Sequence, residues 1–292
     1  MVGIGDDAAV LAPTNASLVW TVDTAVEGVH FSREWMSLED IGWRSLMAAT
    51  SDLAAMGARP KGILSALILP PSIDDDELDR LARGQAQAAA ALGTAVVGGN
   101  LSAGTELSIT TTVLGETRAV LLRRGARLGD VVAVAGTPGM AAAGFEAARR
   151  GLESESSTAS LAAFRRPRAR IEEGLAAAPH AHAAIDLSDG LVLDASRVAA
   201  ESGIGIVLEH QRVLLAAGPA LAAAATELAV DPLELALYGG EDYALLATFA
   251  TDAPLSTFIA IGSCVAGPGV FLQSADGSRR TLEPRGFDHF TR

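Results

Sequence analysis

The chain has a single cysteine, Cys264, and a single lysine, Lys61, in 292 residues. A lone cysteine forms no internal disulfide and supplies no thiolate zinc site, so Cys264 is expected to be a small buried residue in a protein of a reducing compartment. With so little lysine, and no glycine-rich loop ending in Gly-Lys-Ser/Thr, the common phosphate-loop nucleotide site is excluded, as is any mechanism that needs a lysine elsewhere. Long apolar runs are missing too. No stretch reaches the length that crosses a bilayer, and the acidic, glycine-rich start does not read as a signal peptide. Positive charge is scarce: the formal net charge is −13, which opposes the clustered basic surface that binding to a nucleic-acid backbone requires. Nearly all the basic residues are arginines and alanine is abundant, a pattern read as coding bias. What is present is 49% hydrophobic and 20% charged sequence, enough to bury the cores of two ordinary domains. The expectation is a cytoplasmic globular protein with no membrane or nucleic-acid partner.

Acidic residues stand in unusual places. Gly3-Ile4-Gly5-Asp6-Asp7-Ala8-Ala9-Val10 sets two carboxylates in a glycine turn, which alone is most simply a solvated turn. The device then recurs. Asp23 closes the apolar run 18–22, Asp52 sits inside an apolar helix, Asp186 and Asp189 follow Ala183-Ala184-Ile185, and Glu241 and Asp242 follow Leu237-Tyr238-Gly239-Gly240. Isolated surface acids need no such placement, whereas hard cations carrying phosphates do. Magnesium prefers carboxylate and phosphate oxygens and keeps several waters, so scattered aspartates can hold it without a contiguous motif.

The periodicity predicts a strand over 17–23 that delivers Asp23, then a loop with Glu27 and His30. Ser37-Leu38-Glu39-Asp40 has the form of a capping box, so a helix is expected over 39–56, with Asp52 beside its apolar stripe. A strand over 62–70, a helix over 74–92 and a short strand over 94–97 follow. The glycine-rich stretch 98–104 reads as a turn whose backbone N–H groups could cradle an anion. Alternation over 106–115 gives another strand and closes the first of two α/β domains, 1–117 and 118–292. In the second, strands are expected over 131–135, 183–185, 204–209, 243–249 and 258–262. Helices are expected from 139 to 151, around 161–164 and 168–177, and over 190–202, with 153–157 a polar loop.

Each motif also has a plain structural reading. In Asp186-Leu187-Ser188-Asp189-Gly190, Ser188 or Asp189 could be an ordinary helix cap, which leaves Asp186 unexplained. Gly239-Gly240-Glu241-Asp242-Tyr243 could be a hairpin turn with charged corners. His30 could be a satisfied polar residue, and Arg123 and Arg124 either a solvated linker or a phosphate contact. Neither Ser188 nor Cys264 has a neighbouring histidine, so covalent catalysis has little support.

These stretches, in this order, resemble the thiamine-monophosphate kinases, in the superfamily that also holds aminoimidazole ribonucleotide synthetase and selenophosphate synthetase. The likeness rests on residues 3–9, Asp23-Thr24, 27–31, Ser51-Asp52-Leu53-Ala54-Ala55-Met56-Gly57-Ala58, Gly98-Gly99-Asn100, Gly125-Ala126 with Gly129-Asp130, 186–191, 239–243 and Gly286-Phe287-Asp288-His289-Phe290. It implies a two-domain α/β fold of the aminoimidazole ribonucleotide synthetase type, whose amino-terminal domains pair into a dimer around a shared β-barrel. The implied reaction passes the γ-phosphoryl group of ATP to thiamine monophosphate with the help of several Mg²⁺ ions. By this resemblance Asp7, Thr21, the Val22 carbonyl, Asp23, Asp52, Asn100, Asp186 and Asp189 would hold metal, with Asp23, Asp52 and Asp186 central to catalysis. Gly99, Asn100, Arg123 and Ser188 would meet ATP; His30, Glu241 and Phe287 would meet thiamine monophosphate.

Two departures stand out. The family carries a further segment ahead of the Gly-Asp-Asp motif, so a shortened or misassigned start is expected here. Asn100 stands where some members have aspartate, and a neutral amide brings no charge to a metal. The alternatives are another ATP-using enzyme of the superfamily and a non-catalytic acidic metal-binding paralogue. Selenophosphate synthetase would want a reactive cysteine or selenocysteine near its start and the hydrogenase-maturation relative a cysteine at its carboxyl end, and neither is in the sequence.

Overall fold

The structure is a computed structural model and describes residues 11–286. The chain divides into two units, Met1–Leu53 with Ala58–Val120, and Ala54–Gly57 with Leu121–Arg292.

In the first unit a four-stranded sheet has the order β1-β4-β2-β3, formed by β1 (Ser17–Val26), β2 (Arg59–Leu69), β3 (Val96–Ala103) and β4 (Ser108–Thr117). β4 pairs antiparallel with both β1 and β2, whereas β2 and β3 run parallel. A parallel pair needs a crossover, and α2 (Asp75–Ala91) supplies it. That helix starts where the sequence dictates: Asp74 accepts from Glu77 N, and the Glu77 side chain reaches back to the Asp74 backbone. α1 (Leu38–Ala55) starts in the same way, with Ser37 Oγ accepting from Asp40 N at 3.1 Å. Both helices lie on one face of the sheet. A Cβ on Gly115 would meet the Leu53 side chain, and one on Gly84 of α2 would meet the Glu39 carbonyl at 1.9 Å, so the two helices cross at glycine contact. Leu46, Leu53, Leu81, Ile63, Ile109 and Val113 fill the space between.

Strand alternation leaves the other face bare. Leu18, Trp20 and Val22 of β1 are 60, 72 and 62% exposed, and Leu64 and Ile68 of β2, on the far side of β4, are exposed on the same face. Within the single chain the described strands form an open sheet, with β1 and β3 at its edges.

The second unit holds a seven-stranded sheet, β11-β10-β7-β9-β5-β8-β6. In chain order these are β5 (Val131–Ala135), β6 (Ala181–Leu187), β7 (Gly205–Glu209), β8 (Ala244–Phe249), β9 (Ile259–Val265), β10 (Gly269–Gln273) and β11 (Arg279–Leu282). Its core is built with α3 (Met140–Arg149), α4 (Glu155–Arg165), α6 (Leu191–Ser202), α7 (His210–Leu228) and α8 (Pro232–Tyr238). The short α5 (Ile171–Ala177) stands between α4 and β6. α7 kinks at Gly218-Pro219, where Gly218 has φ 79° and the proline ring cannot continue the helix. Among the described residues no single helix is long and apolar enough to cross a membrane. Cys264 is buried, and burial pushes its thiol up to about 12.

Two local expectations are corrected. The stretch 98–103 is not a turn but most of β3. Gly99 lies opposite Ser65, and a Cβ there would sit 1.8 Å from the Ser65 carbonyl, so the glycine is spent on close strand approach. Of the polar stretch 153–157, expected to be a loop, residues 155–157 are the first turn of α4, because Ser154 caps it and Ser157 closes a serine version of the capping box.

Candidate active site

In the first unit, register sets Thr21 opposite Val113 and Asp23 opposite Thr111. Alternation puts Thr21 and Asp23 on the helix-covered face. Thr21 Oγ1 donates to Asp52 Oδ2 of α1 at 2.5 Å, a short charge-assisted bond. Asp23 Oδ1 accepts from Thr24 N at 2.8 Å. The two carboxylates therefore flank one threonine, Asp23 two residues along the strand and Asp52 across from it on the helix.

The register continues as a row across the sheet. Asp23 faces Thr111, Thr111 faces Ser65, and Ser65 faces Gly99. Gln85, a buried residue of α2, donates from Nε2 to Ser65 Oγ at 2.9 Å. Asn100 is not in this row. It lies opposite Ala66, one step further on, at an exposed position of the edge strand.

His30 sits in the loop after β1, and its Nδ1 accepts from Val26 N at 3.1 Å. That assigns the ring proton to Nε2, a donor suited to a phosphate oxygen. Glu27 beside it is taken by Arg33 at 2.6 Å.

In the second unit, Asp186 is buried near the end of β6, and Ser188 and Asp189 form the turn into α6. The turn is held from two sides. Glu241 N donates to Ser188 O at 2.7 Å and Tyr243 N to Leu187 O at 2.9 Å, so the two acidic motifs of this half lie along one another. Glu241 and Tyr243 both have left-handed backbones, φ 66° and 48°. Non-glycine residues rarely adopt that conformation, and such strain persists only where neighbouring structure enforces it. The residue between them explains the enforcement. Asp242 accepts from Gly139 N at 2.6 Å and Ala141 N at 2.8 Å, capping α3 from 101 residues away. α3 has no side-chain cap of its own. Burial pushes Asp242 up to about 7, against the pull of the helix N–H groups. Asp242 is thus structural, although the motif is not the hairpin turn with charged corners that its plain reading offered but the link from α8 to β8, while Glu241 stands beside Ser188.

Sequence reasoning missed the support beneath Asp189. Asp194 of α6 is fully buried, accepts from Asp189 N at 3.1 Å and binds Arg197 at 2.5 Å, and Arg197 also binds Asp189 at 2.7 Å. The Asp194–Arg197 spacing of three residues on a helix was the available signal. Burial pushes Asp194 up to about 6, offset by the Asp189 N–H and by Arg197. Arg123 is exposed, while its carbonyl and the Gly125 and Ala126 N–H groups are pinned by Ser202 Oγ. The backbone near the carboxyl end comes back to the same turn, since a Cβ on Gly286 would lie 2.7 Å from the Asp189 carbonyl. Asp7 and Phe287 lie outside the described residues. Among the described residues no group of three or more His, Cys, Asp or Glu side chains is gathered tightly enough to hold a metal ion by itself.

Comparison with known proteins agrees with this architecture. Residues 5–117 match the AIR synthase related protein, N-terminal domain, and residues 127–253 its C-terminal domain. The chain is 36% identical over 292 residues to the thiamine-monophosphate kinase of Aquifex aeolicus, covering 98% of this chain and 92% of that one. It is 34% identical over 288 residues to the enzyme of that name from Mycobacterium tuberculosis, covering 96% and 84%. A solved structure described as AaThiL complexed with AMPPCP and TMP superposes with a TM-score of 0.88 at 36% identity, over 98% of this chain and 92% of that one. With its two-domain α/β fold of the AIR synthase type, the chain belongs to the thiamine-monophosphate kinase family.

Proposed function

We propose that this protein transfers the γ-phosphoryl group of ATP to the phosphate of thiamine monophosphate, giving thiamine diphosphate and ADP. The observation that carries the reading is the Asp23–Thr21–Asp52 arrangement, set on a scaffold matching a kinase solved with an ATP analogue and TMP. The acceptor is already an anionic phosphate oxygen, so it needs no strong general base. What the reaction needs is positioning and relief of charge repulsion between donor and acceptor.

The donor set fits magnesium. Asp23, Asp52 and Thr21 offer only oxygen, and a site of two carboxylates that leaves the remaining positions to water and phosphate is how Mg²⁺ is ordinarily held. Bound there, Mg²⁺ would neutralise phosphate charge and orient the reacting oxygens. Asp7, the Val22 carbonyl, Asn100, Asp186 and Asp189 are proposed as further ligands. Asp189 already answers to Arg197, which holds its carboxylate in one place. Ser188, Gly99, Asn100 and the exposed Arg123 are assigned to ATP. His30 Nε2 and Glu241 are assigned to thiamine monophosphate, together with Phe287; the left-handed backbone at Glu241 fixes where its side chain begins.

The protein is further proposed to work in the cytoplasm as a homodimer, two copies closing their first-unit sheets into one barrel. The bare apolar face of Leu18, Trp20, Val22, Leu64 and Ile68 supports this, because contiguous apolar surface of this kind marks an interface. Trp20→Glu is expected to convert the dimer to monomer in analytical ultracentrifugation while leaving the circular dichroism of each chain unchanged. The kinase reading itself is tested by coupling ADP release to NADH oxidation. Turnover should require both Mg²⁺ and thiamine monophosphate, and a folded chain showing neither dependence would refute it.

A further inference from the structure

Thr111 has no place in the roles given so far, yet its position is unusual. It is 1% exposed in the centre of β4, and its hydroxyl oxygen, fully buried, has no hydrogen-bond partner among the described residues. An unpaired buried hydroxyl is a net cost to the fold, and a valine of the same shape would carry no such cost. The neighbours on its face are specific. Asp23 lies directly opposite on one side and Ser65 directly opposite on the other, and side chains so paired across antiparallel strands are near neighbours. Val113 and Ile109 lie on either side of Thr111 along β4, both buried and apolar, so within the sheet its polar neighbours lie across the strands.

From this row we infer that Thr111 is a positioning residue for the metal ligand Asp23: its unpartnered hydroxyl stands directly across the strand pair from that carboxylate, placed to donate to it. The inference rests on the assignment of Asp23 to metal. The donor role follows from hydrogen counting. Ser65 Oγ is already engaged by Gln85 Nε2, and the Asp23 carboxylate opposite is an acceptor only, so it is the group across the sheet to which the Thr111 proton can turn. A carboxylate that accepts a fixed bond on one oxygen presents the other in a set direction, which is how groups behind a ligand tune metal affinity. When Asp23 binds an ion, the Thr111 hydroxyl gains the partner it otherwise lacks, and its cost in the metal-free chain is returned as affinity.

The test uses Mn²⁺ alone as probe, titrated into the full chain and followed by the free-ion electron paramagnetic resonance signal. Wild type should bind, Asp23→Asn should lose that ion, and Thr111→Val should bind it about 10-fold more weakly. Thr111→Ser, which keeps the hydroxyl, should restore binding. In the absence of metal, Thr111→Val should melt at the wild-type temperature or above, because it removes an unpaired polar group; a merely structural threonine would show no effect on Mn²⁺. If Thr111→Val does not fold, Thr111→Ala carries the test, with weakened Mn²⁺ binding expected. Mn²⁺ binding by the folded Thr111→Val or Thr111→Ala protein equal to wild type overturns the positioning role and leaves the Asp23 assignment standing. Wild type that binds no Mn²⁺ overturns both.

Discussion

Replacing Asp52 by asparagine is expected to lower phosphoryl transfer by on the order of 10²–10³-fold, the loss typical when one pre-set electrostatic contact to the transition state is removed. The substitution keeps size and an oxygen that still accepts from Thr21 Oγ1, so α1 and β1 remain joined. What disappears is one negative charge beside Asp23. In the metal-free chain that charge is a liability, since like charges flank Thr21, and the variant should therefore unfold at the wild-type temperature or slightly above. On the proposed assignment the same charge would hold an ion that offsets phosphate repulsion. The two effects separate cleanly: a steady-state assay with saturating ATP and thiamine monophosphate should collapse while thermal unfolding does not. Near-normal turnover would remove Asp52 from the metal site.

The position of Asp52 was legible because α1 announces itself. Ser37 and Asp40 mark its start, the apolar residues repeat at helical spacing, and an acid beside that stripe has no structural reason to be there. Asp23 was legible for the matching reason on a strand. What the sequence could not reveal was partnership at long range. Gly98-Gly99 looks like a turn when read locally, since glycine signals only that backbone needs room; that the room is taken by the Ser65 carbonyl of β2 is a fact of tertiary approach. The first turn of α4 hid because Ser157 is a weak form of the residue that usually closes a capping box. The helical stretch of α7 leading into α8 went unassigned because alanine-rich apolar sequence signals burial without declaring a period. Its regular spacing of Val213, Ala217, Leu221 and Leu228 emerges once the helix is known. Asp242 is the plainest case, since the donors it serves lie 101 residues away.

That residue carries the largest expected effect on stability. Asp242→Ala should cost about 2–4 kcal/mol in urea unfolding at pH 5, because it strips a buried helix start of its cap and strands the Gly139 and Ala141 N–H groups. It should also release the backbone at Glu241 and Tyr243, whose left-handed conformations aim Asp242 at α3. Loss of activity should accompany loss of stability, since Glu241 N and Tyr243 N are what hold the Ser188 turn.

The pH dependence has a defined sign. Burial raises Asp242 from an ordinary value of 3.8 to about 7 in the fold, so the folded chain holds this proton more tightly than the unfolded chain. The resulting stability is complete below about pH 4 and is lost as pH rises toward and through 7. Relative to Asp242→Asn, which cannot ionise, wild type should become progressively less stable across that window, by a few kcal/mol in total. Chemical unfolding of the pair at pH 4.5, 6 and 7.5 measures the difference directly, and parallel curves would mean that Asp242 is ionised in the fold throughout.

The most direct measurement of the central claim follows the phosphorus itself. The full chain is incubated with Mg²⁺, thiamine monophosphate and ATP labelled with ³²P in the γ position, and the products are separated. The label is predicted to appear in thiamine diphosphate in step with formation of unlabelled ADP, with no transfer when Mg²⁺ is chelated. Label released only as inorganic phosphate, or left in ATP by a chain shown to be folded, would contradict the assignment.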